Sequence, residues 1–247
     1  MLKIPNSFKI SMFIFLVAIS CNIQNNQSLE DNNLILKTKT IKSFVMNLEP
    51  IVVKDKITLE KPLDINSNIT REEIEQLNKH KINSDEENLI SIWLNPVNKW
   101  NEISETLIKK YKLDEEKKLE ILLLLNIGLY DTLVNTYQNK FLFNRSFNNK
   151  IIPSYPSDKS AISEFSLNIL TNFFPEEKDF LLNKSIQNKN IASWGKESLD
   201  SDIKAGEQIG KFISKKLLDN YNNSKNFNNI SLKFVKDKLE DISKNIK

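Results

Sequence analysis

The chain has 247 residues, of which 40% are hydrophobic and 27% are charged, so its composition is that of an ordinary globular protein. The length suits one domain with a substantial apolar core. The net charge is +3, and two positive charges, Lys3 and Lys9, lie in a predicted leader, so the rest of the chain is close to neutral. This charge balance argues against a nucleic-acid partner.

Residues 1–20 have the pattern of a bacterial signal peptide. Met12–Ser20 is a short apolar run, well below the roughly 20 residues that span a bilayer. It ends before Cys21, the single cysteine of the chain, which excludes an intrachain disulfide. The residues before it, Ala18-Ile19-Ser20, resemble a bacterial lipobox of the loose kind common in spirochaetes. A plain secretory signal is the alternative, but it would leave a free thiol in an oxidising compartment.

The lipobox resemblance implies a lipoprotein whose partner is the lipid bilayer. Diacylation (palmitate being a typical chain) would anchor Cys21 stably, because two chains hold a membrane where one binds marginally. Residues 21–33 are rich in Asn and Gln and are predicted to be a flexible tether. The predicted location is the cell envelope, on the outer membrane surface or on the periplasmic face.

An extended arm is predicted over residues 34–69. The triplets Ile51-Val52-Val53 and Ile57-Thr58-Leu59 favour extended structure, and Pro50 and Pro62 interrupt any longer element. A short hairpin within this arm is a further possibility that the pattern leaves open.

Residues 70–247 are predicted to form a single helical domain of the all-α class. Thr70–Glu73 and Ser84–Glu87 have the pattern of capping boxes at two helix starts. A longer helix is predicted over Asp114–Tyr137, whose centre is apolar all round, as in a buried core helix. The remaining predicted helices are Lys159–Phe173, Pro175–Asn188, Ser201–Tyr221 and Ser231–Ile246.

The segment Pro153–Ala161, at the start of a predicted helix, resembles the phosphate-binding signature of the vanadium-dependent haloperoxidase and type 2 phosphatidic acid phosphatase superfamily. Three other stretches match the superfamily in the same order. They are the apolar helix ending at Tyr130-Asp131, the Lys140–Phe147 segment and the Trp194–Gly206 segment. The resemblance implies a helical bundle of the haloperoxidase and acid-phosphatase type.

The same resemblance assigns roles by position and shows which groups are missing. Lys140 matches a lysine that binds the oxyanion, and Asp202 matches the acid that orients a histidine nucleophile. The family's two arginines, its general-acid histidine and its nucleophilic histidine fall on other residue types, namely Phe147, Ala192, Lys159 and Ser198. No catalytic residue is therefore expected, and the domain is predicted to be a pseudoenzyme.

A residual anion site is a second prediction for the same region, with a phosphate-like ion as its ligand. Its candidate residues are Lys140, Arg145, Ser157, Lys159, Ser198 and Asp202. The competing interpretation is structural: the lysines would lie on the surface, and Ser157 would cap the helix that follows.

The sequence is compatible with three functions. The favoured one is a membrane-anchored lipoprotein whose inactive haloperoxidase-like or phosphatase-like domain binds a partner or has a structural role. A divergent phosphoesterase using Ser198 with Asp202 is the second, and a surface adhesin or host-factor-binding lipoprotein of unrelated helical fold is the third. No cofactor and no metal are expected, because His80 is the single histidine and lies in a polar, surface-type segment.

Overall fold

The computed structural model describes residues 33–147, 150–224, 227 and 229–246. These residues form helices joined by turns and irregular segments, with no strand among them, so the described chain is all-α as predicted. The predicted signal peptide, Cys21 and nearly all of the predicted tether lie outside the described residues.

The chain divides into two compact units, residues 1–43 and 44–247. The described part of the first unit, 33–43, is helical. In chain order the α-helices are α1 (33–46), α2 (Asn68–Lys79), α3 (Ser84–Ile92), α4 (Pro96–Lys110), α5 (Glu115–Phe143), α6 (Asp158–Phe173), α7 (Lys178–Trp194), α8 (Asp200–Ser224) and α9 (Leu232–Ile246). A short 3-10 helix, Pro175–Glu177, precedes α7.

The prediction of an extended arm over 34–69 is wrong at both ends. Residues 33–46 are helical and α2 begins at Asn68, so irregular structure covers only 47–67. Ile41 and Val45 are both buried and lie four residues apart, on one face of a helix. This helical spacing sets the structure of 33–46, and the extended preference of the β-branched residues downstream does not reach it. The hairpin is also absent, since 47–67 contains turns and bends but no strand.

The caps of α2 and α3 lie upstream of the predicted ones. Ser67, not Thr70, caps α2, because its hydroxyl accepts from the Thr70 N–H. Asn83 caps α3 in a capping box with Glu86. Asn performs the same task as the predicted Ser, because its side-chain oxygen also accepts from the first exposed N–H groups of a helix.

α5 is the core helix of the second unit, and it runs six residues beyond the predicted end at Tyr137, to Phe143. It has the length and apolar composition of a membrane-spanning helix, with a mean hydropathy of 1.3, but 83% of its apolar window is buried inside the protein. Its burial on all sides therefore comes from other helices of the same chain. Neighbours include α9, whose amphipathic face buries Val235, Leu239 and Ile242.

The segment 47–67 is fastened to α5 by a buried carboxylate. Asp131 accepts hydrogen bonds from three consecutive backbone N–H groups, those of Ile51 (2.6 Å), Val52 (3.0 Å) and Val53 (2.8 Å). Burial raises the pKa of Asp131, and the three N–H donors act against that rise by stabilising the ionised form. One residue of α5 thus fixes the path of an irregular segment about eighty positions earlier in the chain.

α6 and α8 approach each other closely because α8 presents glycine at the contact. A Cβ atom at Gly206 would lie 2.3 Å from the Ser157 carbonyl oxygen, and one at Gly210 would lie 2.5 Å from that of Ala161. Backbone atoms cannot yield to such an overlap, so only glycine fits at these two positions. This contact places the first turn of α8 beside the first turn of α6.

We expect Gly210→Ala to lower the free energy of unfolding by about 1–3 kcal/mol, because its methyl group would force the two helices apart. The intrinsic helix preference for Ala acts in the opposite direction by at most about 1 kcal/mol. Urea unfolding measures the change, with the exposed α8 variant Gln208→Ala as control. Equal stability of Gly210→Ala and the wild type would show that the contact is looser than described.

Candidate functional site

The candidate residues meet where α6 and α8 begin. Ser157 is the N-cap of α6, since its hydroxyl accepts from the Ser160 N–H at 3.4 Å, so the predicted cap is confirmed. The Ser157 N–H donates to the Asp202 carbonyl at 2.9 Å. This bond connects the start of α6 to the first turn of α8 and brings Asp202 to the segment that resembles the phosphate signature.

Lys140 lies near the C-terminal end of α5, and only 3% of it is exposed. Its ammonium group donates to the carbonyl oxygens of Pro153 and Ser154, each at 3.0 Å. It also lies 3.2 Å from a carboxylate oxygen of Asp158. Because an ammonium group has three N–H donors, these three partners fully occupy Lys140.

Arg145 is buried and forms an ion pair with Asp202, which is completely buried. The second carboxylate oxygen of Asp202 accepts from the Leu199 N–H at 2.9 Å. Burial raises the pKa of Asp202, although the Arg145 charge and the Leu199 N–H both favour its ionised form. Both oxygens of this carboxylate are therefore engaged at the place where the family resemblance implies an acid that orients a nucleophile.

Lys159 forms an ion pair with Glu197, so it lies inside a charge pair and not in a solvated surface position. Its neighbour Asp158 lies at the position where the resemblance implies glycine. The Asp158 carboxylate accepts a hydrogen bond from the Tyr137 hydroxyl at 3.4 Å and also contacts the Lys140 ammonium group. Burial alone would raise the pKa of Asp158, but the charges of Lys140 and Lys159 outweigh it and lower that pKa.

Each cation of the predicted anion site is thus paired with an acid of the same chain. The pairs are Lys140 with Asp158, Arg145 with Asp202, and Lys159 with Glu197. Part of this arrangement was visible in the sequence, because Asp158 is an acid within the Pro153–Ala161 segment. Glu197 carried no such signal, since its contact with Lys159 joins residues 38 positions apart.

Ser198 is buried, and its backbone N–H donates to the Ala192 carbonyl at 3.0 Å. Among the described residues, no hydrogen bond joins its hydroxyl to Asp202, whose oxygens are held by Arg145 and Leu199. The geometry therefore brings Ser198 into the same region as Asp202 without forming a nucleophile–base contact.

Phe147 and Ala192, the two positions at which the resemblance implies arginine, are buried and packed. Phe147 is 6% exposed and forms an apolar cluster with Leu77 of α2 and Leu199, against which Ile65 and Ile74 also pack. Ala192 is fully buried in α7, and its carbonyl accepts from the N–H groups of Glu197 and Ser198. An arginine at either place would have to displace contacts that hold the second unit together.

A cavity of about 930 Å³ lies beside this region. Tyr137, Asp158 and Lys159 contribute to its wall, together with residues of α4 and α9. Two charged residues of the Pro153–Ala161 segment face the cavity. They are Asp158, which is paired with Lys140, and Lys159, which is paired with Glu197.

His80 lies just after α2, stacks on Trp194 with ring centroids 6.3 Å apart, and contacts Glu86 at 3.1 Å. Within the described ranges, no group of three or more His, Cys, Asp or Glu residues is placed to hold a metal ion.

Comparison with known proteins finds no matching family model, no matching curated protein and no matching solved structure. The resemblance to the haloperoxidase and phosphatase superfamily therefore rests on the residues and motifs themselves.

We expect Phe147→Arg, which introduces the arginine that the resemblance implies at this position, to lower the free energy of unfolding by about 3–5 kcal/mol. The loss follows from removing a buried aromatic ring and burying an unpaired charge. Chemical unfolding measures it, and Phe147→Leu, which keeps the position apolar, should cost less than about 1.5 kcal/mol. A stable Phe147→Arg protein that gains phosphate affinity would contradict a packing role for this position.

Proposed function

We propose that the protein is a lipid-anchored lipoprotein of the cell envelope whose helical domain is a non-catalytic relative of the haloperoxidase and phosphatase superfamily. Its role is then binding or structural. The observation that carries the proposal is the pairing of Lys140, Arg145 and Lys159 with three acids of the same chain.

Charge pairing opposes catalysis, because an oxyanion transition state is stabilised by cations and hydrogen-bond donors that have no other partner. Removing one such donor typically lowers the rate by about 10²–10³. Here the retained cations already have carboxylate or carbonyl partners, and Phe147 and Ala192 supply no charge. A phosphate entering this region would have to compete with Asp158, Asp202 and Glu197 for the same cations.

The arrangement also disfavours the phosphoesterase alternative. A serine nucleophile needs a general base within hydrogen-bond reach. Asp202 is the nearest candidate by sequence, but Arg145 and the Leu199 N–H hold its two oxygens. Lys159 would have to leave Glu197 before it could donate a proton to a leaving group.

The membrane anchor of the proposal depends on Cys21 and its lipobox-like neighbours. Two acyl chains on this residue would hold the domain at a membrane surface, with the following residues as the connection.

We expect Cys21→Ser to be recovered in the soluble fraction of cells and the wild type in the membrane fraction, because the variant cannot be acylated. Cell fractionation measures this. Equal distribution of both proteins would refute it.

We expect the purified chain to hydrolyse phosphomonoesters, phosphatidic acid and pyrophosphate no faster than the buffer background. Ser198→Ala should not change that result, and Ser193→Ala, a nearby serine of α7, is the matched control. The measurement is phosphate release over hours at several pH values. Turnover that Ser198→Ala abolishes and Ser193→Ala preserves would establish the phosphoesterase and end the proposal.

A further inference from the structure

The cavity of about 930 Å³ lies between α4 and α9, with α5 and the start of α6 as its floor. The α4 wall is fixed to α5 by two reciprocal amide hydrogen bonds between Asn101 and Asn126, at 2.8 and 3.1 Å. The α9 wall packs on α5 and buries Leu239 and Ile242. Because both walls are held in place, the cavity is preformed, as small-molecule sites usually are.

The floor of the cavity is elongated. Asn126, Leu133 and Tyr137 line it from α5, and their spacing places them on one face of that helix. The helix rises about 16 Å from the first of these residues to the last. An extended peptide covers the same length with about four or five residues, at roughly 3.3–3.6 Å each.

The mouth of the cavity is apolar. Leu94, in the turn between α3 and α4, lines the cavity and is 77% exposed, more than any other large hydrophobic residue of the described chain. Val97 and Ile246 line the same region and are half-buried. A ligand with an apolar body would remove these side chains from water, which is favourable.

Most of the charged residues that line the cavity are neutralised by a neighbour. The pairs are Glu102 with Lys99, Asp158 with Lys140, Lys159 with Glu197, and Glu240 with Lys244.

Two lining charges of opposite sign remain for a ligand, one on each wall. Glu105 lies on α4 and Lys236 on α9, and within the described ranges neither side chain makes an ion pair or a hydrogen bond. A carboxylate and an ammonium group on facing walls are complementary to a molecule that carries one charge of each sign.

Neutral polar groups on the same walls suit a peptide backbone. The Asn98 amide on α4 and the Ser243 hydroxyl on α9 line the cavity, and neither side chain has a hydrogen-bond partner in the described part of the chain. Each group can both donate and accept. The N–H and C=O groups of a peptide need such partners when they leave water, whereas a hydrocarbon chain offers none.

We propose that this cavity binds a short apolar peptide with free termini, about four or five residues long, with its ammonium group at Glu105 and its carboxylate at Lys236. The site rests on the binding role proposed above and deepens it by naming a ligand class. Phosphate release and the fractionation of Cys21→Ser do not depend on these two residues. A failure of the proposed function is therefore distinguishable from a failure of peptide binding.

The test is calorimetric titration of the purified chain with the tetrapeptide Ala-Val-Leu-Ala, with free termini, N-acetylated or C-amidated. We expect each cap to weaken binding about three- to tenfold, because each removes one charge. Lys236→Met should weaken binding of the free peptide by the same factor and should no longer respond to amidation. Glu105→Gln should no longer respond to acetylation. The matched controls Lys233→Met, on the exposed face of α9, and Glu116→Gln, in the first turn of α5, should bind as the wild type does.

Absence of saturable binding of the free peptide at about 1 mM would overturn the inference. Equal affinity of the free and capped peptides would also overturn it, and this comparison needs only the wild-type chain. So would a Lys236→Met protein that still responds to amidation. Decanoate binding more tightly than the peptide would assign the cavity to a lipid chain and equally end the proposal.

Discussion

The contact between α6 and α8 is the constraint on which the candidate site depends. Gly206 and Gly210 allow the backbones of these helices to meet, and the Ser157 N–H then reaches the Asp202 carbonyl. This contact fixes the position of α8 along its axis relative to the segment that precedes α6. Asp202 therefore lies next to Arg145, and the segment before α6 supplies the carbonyl groups that bind Lys140. A wider separation of α6 and α8 would draw Asp202 away from Arg145 and leave both buried charges without a partner.

The buried ion pair of Arg145 and Asp202 constrains both of its members. Removing both charges from water costs free energy, so such a pair adds little stability compared with apolar residues of the same size. Removing one partner alone is expensive, about 3–5 kcal/mol, because the other charge is left buried and unpaired. Arg145 and Asp202 therefore depend on each other, because losing either one would leave the other charge buried and unpaired.

The sequence predicted those features that depend on local patterns. The all-α class, the buried character of α5 and the Ser157 cap follow from residue spacing and from hydroxyl chemistry within a single turn. α1 was missed because its neighbours Ile51-Val52-Val53 favour extended structure, although they lie beyond the helix end. Contacts between distant residues could not be predicted. Asp131 with Ile51, Lys159 with Glu197, and Glu73 with Ser201 are set by helix packing, and no single-sequence pattern encodes it.

The candidate cations Lys140, Arg145 and Lys159 are neutralised by acids of the same chain. This neutralisation is tested by calorimetric titration of the wild-type chain with orthovanadate, a tetrahedral oxyanion that resembles phosphate in shape and charge. We expect no saturable binding at about 1 mM ligand, which corresponds to a binding free energy weaker than about −4 kcal/mol. Saturable one-to-one binding that is lost in Lys159→Met, a variant of the least buried of the three cations, would contradict it.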